Sequence, residues 1–280
     1  MLRIGIFVIP DATPGATTID QIVAADQSGL ELVGIQDHPY QRRFYDTWTL
    51  LSYAAAKTER VQLVPDVMNL PLRLPTVIAK SVASLDLLSG GRIDIGLGAG
   101  AFWDAIAALG GPPRTPKESV DALIETIAIM RAWWSDEHSV TFEGQHYRVK
   151  GAHPGPPPAH RIAIWLGAYG PRMLRTTGQL ADGWLPSLGD HYLHPENAAR
   201  SHAAIDEAAL SAGRNPGEIE RVINVMALEG DPGGWADQLA RIGTELRFDT
   251  VMVGVPAEDP IGFVRRLGED VAPRARELAR

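Results

Sequence analysis

Short apolar runs alternate with longer segments of helical spacing along nearly the whole chain. Arg3–Ile9 is β-branched and apolar and reads as a buried strand, and Ile19–Gly29 has the spacing of a helix stopped by Gly29. The same couple recurs as Leu32–Ile35 with the alanine-rich helix Asp46–Lys57. It recurs again as Val61–Val67 with Pro75–Leu88, a helix opening on an early proline and closing at Ser89-Gly90-Gly91. A fourth pair is Arg92–Gly96 with Pro116–Trp134, for which Thr115 is the N-cap. Residues 135–160 break the rhythm: Val140–Val149 has the pattern of a hairpin turning at Glu143-Gly144, and His153–Ala159 is dominated by proline. The alternation resumes with Ile162–Leu166 and Pro171–Leu180, Gly183–Leu185 and Pro195–Ala212, Arg221–Leu228 and Gly234–Leu246, and Thr250–Val255 and Pro260–Leu278. Strands apolar on both faces, each followed by a helix, are parallel strands covered by helices. Eight such units predict an α/β fold, a (β/α)8 TIM barrel spanning 1–280 as one domain, with 135–160 inserted between helix four and strand five. A doubly wound open sheet is the alternative.

The length of 280 residues suits a barrel of roughly 250 residues. Cysteine is absent, which excludes disulfides, thiolate metal sites and a cysteine nucleophile. The formal net charge is −8, and no basic run exceeds that at Gln41-Arg42-Arg43, a balance that argues against a nucleic-acid partner. Met1–Ile6 has a strand pattern rather than that of a signal peptide, and no apolar run approaches the ~18 residues of a membrane span. The expectation is a soluble, cytoplasmic protein acting on a small molecule.

In an eight-stranded barrel the chemistry sits at the C-terminal ends of the strands, in the βα loops. Polar residues and glycines gather at those positions. Strand two ends in Asp37-His38; a histidine there can give or take a proton and the neighbouring carboxylate can tune it, while a loop-capping Asp beside a surface His is the plainer reading. Strand three ends in Asp66-Val67-Met68-Asn69. Strand four ends in Gly96-Leu97-Gly98-Ala99-Gly100-Ala101. Its G-x-G-x-G spacing is a weak dinucleotide signal, but glycines at a strand end would let a flat ligand approach the backbone. Gly167-Ala168-Tyr169-Gly170-Pro171 runs straight into a helix, whose free N–H groups with Arg172 and Arg175 would form an anion site; a plain glycine-rich turn with solvated arginines is the alternative. Asp190-His191-x-x-His194 lacks a third spaced ligand, so no metal is expected. Trp133-Trp134 reads as packing for the excursion.

Several stretches together resemble the luciferase-like monooxygenase superfamily: Gly34–His38, Leu85-Asp86-Leu87-Leu88-Ser89-Gly90-Gly91-Arg92, Ile95–Gly100, Trp165–Arg172, Leu180–Trp184, Phe248–Val251 and Glu269–Pro273. The likeness covers essentially the whole chain, and the Leu-Ser-Gly-Gly-Arg link with its following glycine strand is the most specific part. The resemblance implies a barrel, often dimeric, with a flavin-type cofactor. The Asp37-His38 pair and the Ala-Tyr-Gly-Pro-Arg turn look more like the branch that uses the deazaflavin coenzyme F420 than the FMN branch. Carried over by position, it implies Asp37 beside the cofactor ring, His38 as the proton-transferring group, and a non-prolyl cis peptide at Asp66-Val67 with Asn69 just beyond. It further implies Ala99, Gly100, Ala101 and Asp104 along the ring, and Gly167, Ala168, Tyr169, Gly170, Arg172 and Met173 as the phosphate cradle. One departure stands out: sugar-phosphate dehydrogenases of the branch carry a glutamate directly after the strand-four glycine, where this chain has Ala101, followed by Phe102 and Trp103. The expectation is therefore hydride transfer between F420 and a less polar substrate than a sugar phosphate. An FMN-dependent monooxygenase fed with reduced flavin, and a barrel that binds flavin without turnover, are the rivals.

Overall fold

The computed structural model of the chain describes residues 1–186 and 191–280 in full, and the backbone of Gly189 and Asp190. The strands are β1 (Arg3–Val8), β2 (Leu32–Ile35), β3 (Gln62–Pro65), β4 (Met68–Asn69), β5 (Ile95–Gly98), β6 (Val140–Glu143), β7 (Arg148–Ala152), β8 (Ile164–Leu166), β9 (Gly183–Trp184), β10 (Glu220–Val225) and β11 (Thr250–Gly254). All but β6 and β7 form one parallel sheet in the order β3-β2-β1-β11-β10-β9-β8-β5-β4. Because β4 continues the path of β3, the two ends of that order meet. Leu63 of β3 bridges to Ile93, Met68 of β4 pairs with Leu97, and the sheet closes into a barrel of eight staves.

The helices are α1 (Thr18–Gln27), α2 (Thr47–Ala55), α3 (Pro75–Ser89), α4 (Trp103–Ala108), α5 (Pro116–Trp133), α6 (Pro171–Leu180), α7 (Gly189–Tyr192), α8 (Pro195–Ser211), α9 (Pro232–Thr244), α10 (Pro260–Arg266) and α11 (Ala272–Leu278). A π-helical turn at Leu267–Val271 joins the last two. Several starts are written in the residues that cap them. The Asp46 side chain accepts from the Thr49 amide, and Thr115 and Glu118 form a reciprocal capping box at α5. Gly90 ends α3 in the left-handed region, which a side chain would resist. Two packed layers follow from strands that are apolar on both faces. Phe7, Leu32, Val64, Trp165, Val222 and Met252, all from strands, cluster together as the filling of the barrel, while a larger apolar cluster joins strands to helices. No helix among the described residues is long and apolar enough to cross a membrane.

The excursion is an antiparallel hairpin, β6 on β7. Glu125 of α5 holds its turn by accepting from the amides of Gln145, His146 and Tyr147 at 2.7, 3.0 and 2.9 Å. The expected part for the tryptophan pair is divided: Trp134 donates to the Ala79 carbonyl of α3, and Trp133 is buried in the core. The Leu85–Arg92 link lies at the opposite end of the barrel from the βα loops and is a clamp. Fully buried Asp86 accepts from the amides of Ala159 and His160 and stands 2.9 Å from the His160 ring. The guanidinium of Arg92 spans the carbonyls of Ala55, Thr58 and Val61. His160 also meets Asp94 at 3.3 Å. The hydrogen bond to Asp94 and the charge of Asp86 push its pKa up to about 9.

Candidate active site

A cleft of about 630 Å³ opens at the C-terminal ends of β2, β4, β5 and β8. Among the residues proposed from the sequence, it is lined by Asp37, His38, Asp66, Val67, Asn69, Ala99, Gly100, Ala101, Gly167, Tyr169, Gly170 and Met173. Asp104, Ala168 and Arg172 stand outside that lining. Asp104 is exposed on α4. Ala168 is buried, and its carbonyl accepts from the Trp184 indole at 2.9 Å. Arg172 is turned toward α5, where it pairs with Asp121 and donates to the Lys117 carbonyl. The arginine expected in a phosphate cradle is thus held by an acid that the turn's own sequence does not contain. The side chain of Asp190 lies outside the described residues; His191 packs edge-on against Tyr192.

Asp37 is almost completely buried and its oxygens are engaged by the protein. Arg73 donates to both, at 2.7 and 3.2 Å, and the Asn69 amide donates at 2.8 Å. Arg73 also reaches Asp46, the cap of α2. Burial pushes the Asp37 carboxyl up, and Arg73 and the Asn69 amide pull the other way. In this structure Asp37 ties the ends of β2 and β4 together through Arg73, rather than offering a free edge to a ligand. His38 is half-buried and its ring makes no hydrogen bond among the described residues; burial pushes its pKa down against the charge of Asp37. Tyr40 stacks on it, and burial pushes that phenol up to about 12.

The peptide between Asp66 and Val67 is cis. The Asp66 carboxyl sits inside the barrel with one oxygen accepting from Asn224 at 2.8 Å and the other, buried, without a partner. No cation offsets that burial, which pushes its pKa up to about 7. The side-chain oxygens of Asn69 and Asn224 are likewise buried and unpartnered. Val67 occupies the space that the glycine strand leaves open. A Cβ on Gly98 would stand 2.7 Å from the valine, on Gly96 3.0 Å, and on Gly167 3.1 Å. On Gly100, at positive φ, it would strike Pro71 and Trp103. At 96, 98 and 100 the space a side chain would take is thus filled by other parts of the protein, while Gly98 and Gly100 still line the cleft. Gly170 differs, since a Cβ there would meet nothing within 4 Å, at the N-terminus of α6.

Sequence reasoning missed Arg73, Tyr40 and Asn224. Arg73 lies in the same βα loop as Asn69, so its place on the rim was a usable signal. Asn224, a lone amide in the run Val222-Ile223-Asn224-Val225, was another, because a buried strand keeps a polar side chain only when it has a partner.

The description of luciferase-like monooxygenases as a family matches residues 2–245. The chain belongs to the luciferase-like monooxygenase family. Among curated members, the F420-dependent glucose-6-phosphate dehydrogenase of Intrasporangium calvum is 32% identical over a 338-residue alignment that covers 99% of this chain and 100% of the relative. The enzyme of the same description from Kineococcus radiotolerans is 33% identical over 223 residues, 76% of this chain and 64% of the relative. Among solved structures, an F420-dependent secondary alcohol dehydrogenase in complex with an F420-acetone adduct superimposes with a TM-score of 0.86 at 17% identity, covering 98% of this chain and 99% of that one. The coenzyme F420-dependent tetrahydromethanopterin reductase of Methanopyrus kandleri gives 0.80 at 22% identity, over 97% and 99%. These structural likenesses bear on the fold, and they place this chain's closed parallel barrel within that family's architecture.

Proposed function

We propose that the chain is an oxidoreductase that uses the deazaflavin coenzyme F420 to move a hydride to or from an organic substrate. The observation that carries the reading is the content of one cleft: a half-buried imidazole with unspent hydrogen bonds, beside buried oxygens of Asp66 and Asn69 that lack donors. Such acceptors suit a ring that presents N–H groups. The F420 dependence of relatives matched along the whole chain supports the same choice. Asp66, Val67 and Asn69 would meet the ring, and the open turn at Gly170 with the amides of Arg172 and Met173 would meet its phosphate. When bound, F420 supplies a carbon that takes up or releases a hydride.

The chain's residues supply the rest. The apolar walls exclude water from the reacting groups. His38, held neutral by burial, accepts a proton from a substrate hydroxyl or returns it. Asp37, clamped by Arg73, fixes the backbone on which His38 stands and acts as a positioning residue. The sugar phosphate of the relatives is not carried over. Ala101 stands where their proton acceptor is expected, and among the described residues no lysine or arginine lines the cleft.

Fluorescence titration of the purified chain with oxidised F420, run beside FMN, tests the reading. Saturable binding of F420 in preference to FMN is the expected result. Preference for FMN would move the chain to the oxygen-using rival, and binding of neither would remove the site assignment.

A further inference from the structure

The end of the cleft next to β2 is built differently from the end next to α6. Three rings meet there: His38 and Tyr40 stack with centroids 5.3 Å apart and planes at 23°, and Phe102 approaches them at 5.3 and 5.6 Å. Phe102 is 56% exposed, so an apolar ring faces solvent inside a concavity. Neither the His38 ring nor the Tyr40 hydroxyl has a hydrogen-bond partner among the described residues. Both are neutral at neutral pH, since burial pushes the imidazole down and the phenol up. Arg73 is already spent on Asp37 and Asp46 and Arg172 on Asp121, while Arg42 and Arg43, beyond Tyr40 in the same loop, are exposed and outside the cleft lining. A phosphate or carboxylate brought here would shed its water and find no cation in return. A ring face would find three others to pack on.

Resting on the F420 reading above, we infer that this end of the cleft takes an uncharged alcohol carried on an apolar ring, the ring packing on Phe102 and the hydroxyl meeting His38 and Tyr40. In its oxidation the carbinol C–H bond breaks and leaves as hydride, with both electrons, to oxidised deazaflavin. The O–H bond breaks and its proton goes to an unprotonated nitrogen of His38. The carbon–oxygen bond becomes the carbonyl of a ketone or aldehyde, and the reverse reaction begins from the imidazolium.

The test uses cyclohexanol, 1-phenylethanol and glucose 6-phosphate, with F420 affinity measured separately on each variant. Ligand-observed saturation-transfer NMR on the F420-loaded protein reads alcohol binding, and loss of the oxidised-deazaflavin absorbance reads turnover. The ring alcohols are expected to bind and react while glucose 6-phosphate does neither. Phe102→Ala is expected to weaken alcohol Kd and KM about tenfold, the order of one aromatic contact, with F420 affinity unchanged and with rescue by Phe102→Tyr. Turnover of glucose 6-phosphate with a kcat/KM matching that of the alcohols would overturn the inference, as would a Phe102→Ala variant with unaltered alcohol Kd and KM. Failure to bind F420 at all overturns instead the reading on which it rests, and the separate titration tells the two apart.

Discussion

At the scale of single residues, two ionisable groups in the cleft are set by burial with different consequences. His38 is reached by solvent and has hydrogen bonds to give, so its replacement should harm turnover and spare binding. His38→Ala is expected to lower kcat by about 10²–10⁴-fold, the usual range for a lost acid–base group, with F420 affinity retained. Equal kcat in variant and parent would remove its proton role. Asp66, besides the place proposed for it against the ring, is enclosed deeply enough for its titration to bear on stability. Its carboxyl keeps its proton up to about pH 7 in the fold, whereas at its ordinary value of 3.8 the unfolded chain has already lost it. Between those values the unfolded state binds fewer protons, so stability falls as pH rises from about 4 to about 7 and then levels. Urea unfolding of Asp66→Asn across that range should show a flatter profile than the parent. Asp37-His38 was legible because chain order alone puts it at a strand end. Arg73 and Asp121 were not, because what they do is decided by acids and bases brought from other loops.

Among the elements, the best-read strands are those whose apolar runs stop at glycine or a charged residue. Leu32–Ile35 is found with the same bounds in the sequence and in the fold. Val61–Val67 was read as one strand, but β3 stops at Pro65 and a second short strand, Met68–Asn69, begins only after the chain has turned at Asp66-Val67. The helix α4 escaped notice because only Ile106 of its six residues is buried, too little for a period. The Leu85–Arg92 link was the most recognisable motif, yet its work is structural and lies far from the cleft. Removing the Asp86 carboxylate takes the acceptor from the amides of Ile93, Ala159 and His160, the first of them buried, and leaves the His160 ring facing Asp94. Asp86→Ala should therefore cost about 1–3 kcal/mol in chemical denaturation, the order of a buried donor left without its acceptor. His160 adds a second pH window. Its folded pKa is raised to about 9, so its contribution is complete below 6.5 and lost as pH rises through about 9. A His160→Gln variant should lose that alkaline decline, and an unchanged decline would show that other groups cause it.

For the whole molecule, closure of the barrel joins the two ends. The clamp at the bottom fixes α3 and β5, and the same strand carries Gly98 and Ala99 to the cleft. A ligand that binds only the folded barrel must raise its stability by linkage, by about 2.7 kcal/mol at a hundred times its Kd. F420 is thus expected to raise Tm by several degrees in a concentration-dependent way. A Tm that ignores F420 at saturating concentration would contradict binding in the cleft. The eightfold alternation made the barrel legible, because every strand must hide both faces. The manner of closure was not, since it depends on Leu63, Ile93 and the short β4 meeting across a gap in the sequence.

The valine at 67 and the glycines at 96, 98 and 167 have a consequence for how such a chain can change over generations. These three glycines hold no left-handed backbone; Val67 is the nearest obstacle to a side chain at 98 and 167, and at 96 the Pro65 carbonyl stands nearer still. Size at position 67 and size at position 98 therefore form a shared quantity, and neither can grow unless the other shrinks. Gly98→Ala alone should destabilise the barrel, by about 1–3 kcal/mol for an overpacked site, and Val67→Ala should recover part of that loss. Additive effects in this double-mutant cycle would show the two sites to be independent. Across members of the family, the two positions should accordingly drift as a pair, a bulky residue at one accompanying a small residue at the other.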